Sequence, residues 1–138
     1  MIEQFHATKL VVADLVAATR FYQGLGLAEI SRNLGGDGDV RQDQVWLATG
    51  EGNAHVLILA RFTELPAPAR SRYPGEAWLA FRVTDVEQTI AAALTHGGTL
   101  VRAGEDIPSH AVRAGLVADP DGHVVELVGP LGGRNPAP

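Results

Sequence analysis

The sequence contains no cysteine, and Lys9 is the single lysine among its 11 basic residues. The absence of cysteine excludes disulfide bonds, thiolate nucleophiles and zinc sites with thiolate ligands. No apolar run approaches the roughly 18 to 20 residues that a membrane-spanning helix needs. The N-terminal segment also lacks a basic region followed by an apolar one, so we expect a cytoplasmic protein.

An excess of positive charge is also missing, because 16 acidic residues outnumber the 11 basic ones and give a net charge of −5. Contacts to nucleic-acid phosphates or anionic lipids need clustered Lys and Arg. We therefore expect neither nucleic acid nor a membrane as a partner. With 138 residues, 46% hydrophobic and 20% charged, the chain has the composition of a globular domain or of two half-size modules sharing a core.

An internal repeat divides the chain into two similar halves. Leu10–Leu15 aligns with Phe81–Val86, since each is an apolar strand followed by Asp and an aliphatic residue. The same shift, without a gap, pairs Leu25-Gly26 with His96-Gly97. Each copy is therefore predicted to form a strand, an amphipathic helix capped by Asp, and a Gly at the helix end.

Further strands complete each copy. Strands are predicted over 5–12, 27–32, 40–48 and 54–61 in the first copy, and over 77–83, 99–103, 111–118 and 123–128 in the second. The predicted fold class is α+β, with two tandem βαβββ modules over 1–61 and 76–130. Residues 62–75, rich in Pro and polar residues, are predicted to be a linker, and 131–138 a flexible tail.

The stretch VADPDGHVVEL, Val117–Leu127, combines a turn with a strand. Asp-Pro-Asp-Gly predicts the turn, because proline presets φ and Gly122 accepts a positive φ. In the strand that follows, Glu126 is the one charge in an apolar run. Its carboxylate is therefore expected either on a solvated face or in a pocket.

Together these features resemble the vicinal oxygen chelate superfamily, which includes glyoxalase I, extradiol dioxygenases and bleomycin-resistance binding proteins. The resemblance is carried by the paired modules, by VADLVAATRFYQGLG over Val12–Gly26, one residue shorter than the usual motif, and by DPDGHVVEL. It implies half-barrel sheets with helices outside and a ligand cleft inside. It also implies a homodimer, because two modules, often from two chains, complete the site in this superfamily.

The resemblance further implies where metal ligands would stand. Metal-dependent members take His or Gln from the first strand of each module and Glu from the last strands. In this sequence the four positions fall on Ala7, about Leu57, Trp78 and Glu126. Alanine, leucine and indole side chains cannot bind a divalent cation, so we expect no metal and no other cofactor. His6 is one residue off register, and His55 with Glu126 would supply only two ligands.

The cleft is expected to receive the side chains that alternate with Leu79, Phe81 and Val83, which are predicted to pack under the helix. The candidate ligand-binding residues are Phe5, Lys9, His55, Leu57, Trp78, Arg82 and Glu126. Two aromatic surfaces, two cations and one carboxylate suit a planar, polar organic molecule. A structural alternative is that Phe5 and Trp78 only fill the space of a lost metal.

Two functions remain open. The first is a binding protein, closest in kind to the metal-free bleomycin-resistance type, that sequesters an aromatic or drug-like natural product at a homodimer cleft and so protects against an antibiotic. The second is an enzyme of the superfamily, a lyase, isomerase or dioxygenase. It would use a non-standard metal set or use Lys9, Arg82 and Glu126 as acid, base or electrostatic groups, with Glu126 the first candidate for catalysis.

Overall fold

The computed structural model describes residues 1–50, 55–65 and 77–132, which contain eight strands and two α-helices. The chain divides into two compact units, Met1–Arg70 and Ser71–Pro138. Most of the predicted linker and tail lies outside the described residues, although Phe62 is the last residue of a strand. Within the described ranges, no helix is long and apolar enough to cross a membrane.

The first unit is a four-stranded sheet with one helix. Its elements are β1 (Thr8–Val11), α1 (Leu15–Gly24), β2 (Ala28–Gly35), β3 (Gln42–Ala48) and β4 (Val56–Phe62). The strands lie in the order β1-β4-β3-β2, with β1 parallel to β4 and the other pairs antiparallel. The Asp14 carboxylate accepts a 3.0 Å hydrogen bond from the Ala17 N–H and so caps α1. After the helix, Gly26 has a φ of 105°, which favours glycine.

The second unit repeats this arrangement. Its elements are β5 (Leu79–Arg82), α2 (Val86–Thr95), β6 (Thr99–Ile107), β7 (Val112–Ala118) and β8 (Val124–Pro130). The order is β5-β8-β7-β6, and β5 is parallel to β8. Asp85 caps α2 through the Gln88 N–H, as Asp14 caps α1. The gapless repeat and the α+β fold of tandem βαβββ modules are thus confirmed.

Each helix packs on one face of its own sheet. In the first unit this face buries Leu10, Val12, Val45, Leu47, Leu57 and Leu59. In the second unit, Gly115 lies under α2, because a Cβ placed there would come within 2.9 Å of the Ile90 Cδ1 atom. Burying one such aliphatic side chain contributes about 1.5–3 kcal/mol to folding. Because strand side chains alternate, the residues between these point to the opposite side, which we call the distal face of each sheet.

β2 and β6 extend further than predicted, each through a glycine that was expected to lie in or beside a loop. β2 continues to Gly35 and β6 continues through Gly104 to Ile107. A Cβ on Gly35 would clash with the Gln44 side chain, and one on Gly104 would lie 2.5 Å from the Glu87 Oε1 atom. These glycines therefore leave room for neighbouring side chains within a sheet.

Arg113 joins α2 to the sheet of the second unit. Its guanidinium donates to the carboxylates of Glu87 at 2.7 Å and Asp106 at 3.1 Å, and to the carbonyl oxygen of Gly104 at 2.8 Å. The hydrogen bond from Arg113 lowers the pKa of Glu87. The Gly132 N–H and then Arg113 lower the pKa of Asp106. This cluster stabilises the ionised carboxylates.

Candidate functional site

Strand register determines which side chains share the distal face of the first unit. Lys9 of β1 pairs with Ile58 of β4, and Ile58 pairs with Trp46 of β3. Partners across a ladder point to the same side, so these three side chains form one row. Gln44, which pairs with Ala60, lies in the next row of the same face.

Four polar side chains on this face are joined by hydrogen bonds. The Trp46 Nε1–H donates to the Gln44 Oε1 atom at 3.0 Å, and the Gln44 Nε2–H donates to the Gln42 Oε1 atom at 3.1 Å. The Lys9 ammonium donates to the same Gln42 oxygen at 3.2 Å. Residues 42, 44 and 46 stand two apart on one strand, which places them on one face. We call Lys9, Gln42, Gln44 and Trp46 the amide ladder.

The N-terminal segment does not continue the alternation of β1. Phe5 stacks on His55, with 6.0 Å between ring centroids and an interplanar angle of 18°, and His55 lies 3.3 Å from the Thr8 hydroxyl. Thr8 belongs to the helix side of the sheet, whereas His6 contacts Trp46 of the distal face edge-on at 6.1 Å. Phe5 was expected in the cleft and His6 outside it. The structure reverses these positions because β1 begins only at Thr8.

The register also corrects the placement of Leu57. It was expected to face the cleft, but it pairs with Thr8, is only 4% exposed and lies on the helix side. His55 has the same parity and contacts Thr8, so it too lies away from the distal face. The residue equivalent to Glu126 is Ile58, because Ile58 pairs with Lys9 as Glu126 pairs with Ala80 at the matching position of the second unit.

The distal face of the second unit carries Arg82 and Glu126 as expected. Glu126 pairs with Ala80 on one side and Leu116 on the other, and Arg82 is exposed one row further along. Trp78 immediately precedes β5, and the alternation of that strand places it on the same face. Its side chain is 56% exposed.

Two features of these faces were not identified from the sequence. One is Trp46 with its two glutamines, for which the available signal was the polar run Gln42-Asp43-Gln44 at the start of an apolar strand. The other is Arg102, which lies in the row of Leu116 and Glu126 and pairs with Glu105 at 2.5 Å.

A family model confirms what the geometry indicates. The model of the Glyoxalase/Bleomycin resistance protein/Dioxygenase superfamily matches residues 4–127. The chain belongs to this superfamily. No curated protein gives a match.

Solved structures of the superfamily share the fold over nearly the whole chain. A glyoxalase family protein from Bacillus cereus has a TM-score of 0.80 at 20% identity, with 96% of this chain and 97% of that chain covered. The trypanothione-dependent glyoxalase I of Leishmania major has a TM-score of 0.68 at 23% identity, covering 93% and 87%. The fosfomycin resistance protein FosX of Mesorhizobium loti has a TM-score of 0.62 at 18% identity, with 92% of this chain and 91% of that chain covered. Identities this low establish the fold alone.

The residues at the superfamily's metal-ligand positions do not fit a divalent cation. With the corrected register these positions hold Ala7, Ile58, Trp78 and Glu126. Only the Glu126 carboxylate is a metal donor. In the part of the chain that the structure describes, no group of three or more His, Asp or Glu side chains lies close enough to hold a metal.

Proposed function

We propose that this superfamily member is a small-molecule binding protein that sequesters a planar, drug-like organic molecule. The observation that carries the proposal is the replacement of metal donors by Ala7, Ile58 and Trp78. Two tryptophans on distal faces support it, because an exposed indole offers a flat apolar surface for stacking. The similarity to a fosfomycin resistance protein concerns the fold alone. Protection against an antibiotic is therefore proposed as the biological role and does not follow from sequence identity.

Trp78 provides the test of this proposal. Ligand contact with its exposed half would remove about 100 Å² from water, and stacking adds roughly 0.5–1.5 kcal/mol. Trp78→Ala is therefore expected to weaken binding by about 2–4 kcal/mol, or roughly 30- to 1,000-fold. Because the indole is more than half exposed, the melting temperature should change little.

The assay is tryptophan fluorescence during titration with planar antibiotics and quinones. Trp46 also lies on a distal face, so both single-tryptophan proteins are needed: Trp46→Phe, which reports on Trp78, and Trp78→Phe, which reports on Trp46. Quenching of Trp78 supports the proposal. If no compound changes either emission and Trp78→Ala lowers the melting temperature strongly, the proposal is wrong.

Metal analysis of protein purified without chelator separates binding from the enzymatic alternative. We expect less than a stoichiometric amount of any divalent metal. One equivalent of Ni, Zn, Fe or Mn per chain, lost in Glu126→Ala together with an activity, would instead support a superfamily enzyme with a non-standard metal site.

A further inference from the structure

We propose that the distal face of the first unit selects an organic anion with an aromatic body. The anionic group binds to Lys9, and the aromatic ring contacts Trp46. This inference rests on the proposed function and adds the chemical class of the ligand. It is argued from the amide ladder alone, all of which lies within one unit.

The two glutamines of the amide ladder have fixed orientations. Gln42 accepts two hydrogen bonds at its oxygen, and its nitrogen donates to the Val40 carbonyl at 3.2 Å. Gln44 accepts from Trp46 and donates to Gln42, and it is only 6% exposed. Both amides are thus held at each end, which fixes which atom is oxygen and which is nitrogen. The ladder is a prearranged support for Trp46 and Lys9.

Lys9 presents a positive charge on this face. Its ammonium is exposed, and its one hydrogen bond among the described residues goes to a neutral amide oxygen. No carboxylate in the described ranges forms an ion pair with it. An ammonium has three N–H donors, so two remain for a ligand. A carboxylate, phenolate or sulfonate is the group that such donors bind most strongly.

The two ends of the amide ladder, Lys9 and Trp46, lie within reach of one ligand. Hydrogen bonds of 3.2, 3.1 and 3.0 Å and one amide group separate the Lys9 nitrogen from the Trp46 Nε1 atom. The two atoms are therefore at most about 12 Å apart. A two- or three-ring aromatic acid can reach from the ammonium to the indole. Trp46 remains partly exposed for this contact.

The experiment compares aromatic acids with their uncharged amides. The probes are naphthylacetate with naphthylacetamide, and anthraquinone carboxylate with its carboxamide. In the wild-type protein each acid should bind about 10- to 100-fold more tightly than its amide, as one or two charge-assisted hydrogen bonds provide. Lys9→Met should abolish this preference, whereas Lys9→Arg should keep it. Arg20→Met, which removes an exposed charge from α1, is the matched control and should also keep it.

A direct readout follows from the single lysine. Incorporation of ¹³C-labelled lysine leaves all three N–H donors in place and gives the signal of a single lysine side chain. Naphthylacetate should shift the Lys9 signal, and naphthylacetamide should leave it unchanged.

Each other outcome overturns a defined part of the reasoning. The anion inference is wrong if acid and amide bind equally, if the preference for the acid survives in Lys9→Met, or if the Lys9 signal does not change. The proposed binding function stands in each of these cases. If none of these compounds nor the planar panel binds, both the inference and the proposed function are wrong.

Discussion

Replacing Gly35 with alanine should destabilise the protein, although the same change in an ordinary strand is favourable. Glycine inside a strand costs about 0.5–1 kcal/mol relative to alanine, so propensity alone predicts that Gly35→Ala stabilises. A Cβ at this position would clash with the Gln44 amide and would lie 2.9 Å from its Cδ atom. The side chain of Gln44 would have to leave the amide ladder.

The size of the effect follows from the bonds that Gln44 makes. It donates to Gln42 and accepts from Trp46, and each bond contributes about 0.5–1.5 kcal/mol net. Loss of both costs roughly 1–3 kcal/mol, and the gain in strand propensity offsets part of it. We expect Gly35→Ala to lower the free energy of unfolding by about 0.5–2 kcal/mol.

A double-mutant cycle with Gln44→Ala isolates the cause. Once Gln44 is truncated, the added methyl group meets no amide, so Gly35→Ala should then stabilise by about 0.5–1 kcal/mol. The measurement is urea unfolding followed by circular dichroism, with the midpoint compared at unchanged slope. Additive effects of the two substitutions, or stabilisation by Gly35→Ala alone, would refute the role assigned to the ladder.

Two further predictions concern the second unit and the assembly. Arg113 helps to lower the pKa of Glu87 and Asp106 in the folded state. The stability that these carboxylates contribute is therefore present above their ordinary pKa of about 4. It is lost as the pH falls through their lower folded pKa values. Arg113→Met should therefore flatten the loss of unfolding free energy between about pH 5 and 2, whereas Arg20→Met should not, and equal pH profiles would contradict this. We also expect a homodimer by light scattering, as proposed from the superfamily resemblance, and a monomer at micromolar concentration would count against it.

The repeated part of the fold was predictable because its signals are local. Asp14 and Asp85 cap their helices through backbone N–H groups three residues ahead, and both strand and helix recur at one offset, from Thr8 to Leu79 and from Leu15 to Val86. A cap and the helix it begins depend on neighbouring residues alone. They can therefore be read from sequence without knowledge of the tertiary contacts.

The register of β4 could not be obtained in this way. Val56–Ala60 is a continuous apolar run, and Leu57, Ile58, Leu59 and Ala60 are all buried, so neither face of this central strand is marked by polar residues. Alternation then gives no parity, and a slip of one residue exchanges the faces. The placement of Leu57 in the cleft was wrong for this reason. Pairing with β1 identifies Ile58 instead.

The amide ladder was missed for a related reason. Polar residues in a strand are normally interpreted as a solvated face, and Gln42 and Gln44 satisfy that pattern. Only the contact of Gln44 with Gly35 from the neighbouring strand shows that this glutamine is enclosed. Such a cross-strand fit depends on register, which the sequence of one strand does not contain.

The two units share a backbone but not the chemistry of their distal faces. At equivalent positions Lys9 matches Ala80 and Ile58 matches Glu126. On the next strand of each sheet, Trp46 matches Leu116, because Trp46 pairs with Ile58 and Leu116 pairs with Glu126. In each match a charged or aromatic residue in one unit replaces a small or apolar residue in the other.

This divergence has a functional consequence. Here the first unit supplies a cation and an indole, and the second supplies a carboxylate, a guanidinium and an indole, with Glu126 as the one remaining donor. The aromatic anion proposed above needs only the face of the first unit, where Lys9 can meet its charged group and Trp46 its ring. Ile58→Glu would place a carboxylate beside Lys9, so it should weaken the binding of naphthylacetate in the fluorescence titration by competing for the ammonium. Because Ile58 is only 5% exposed, circular dichroism must first show that the variant folds. A folded variant with unchanged affinity would count against an anion site at Lys9.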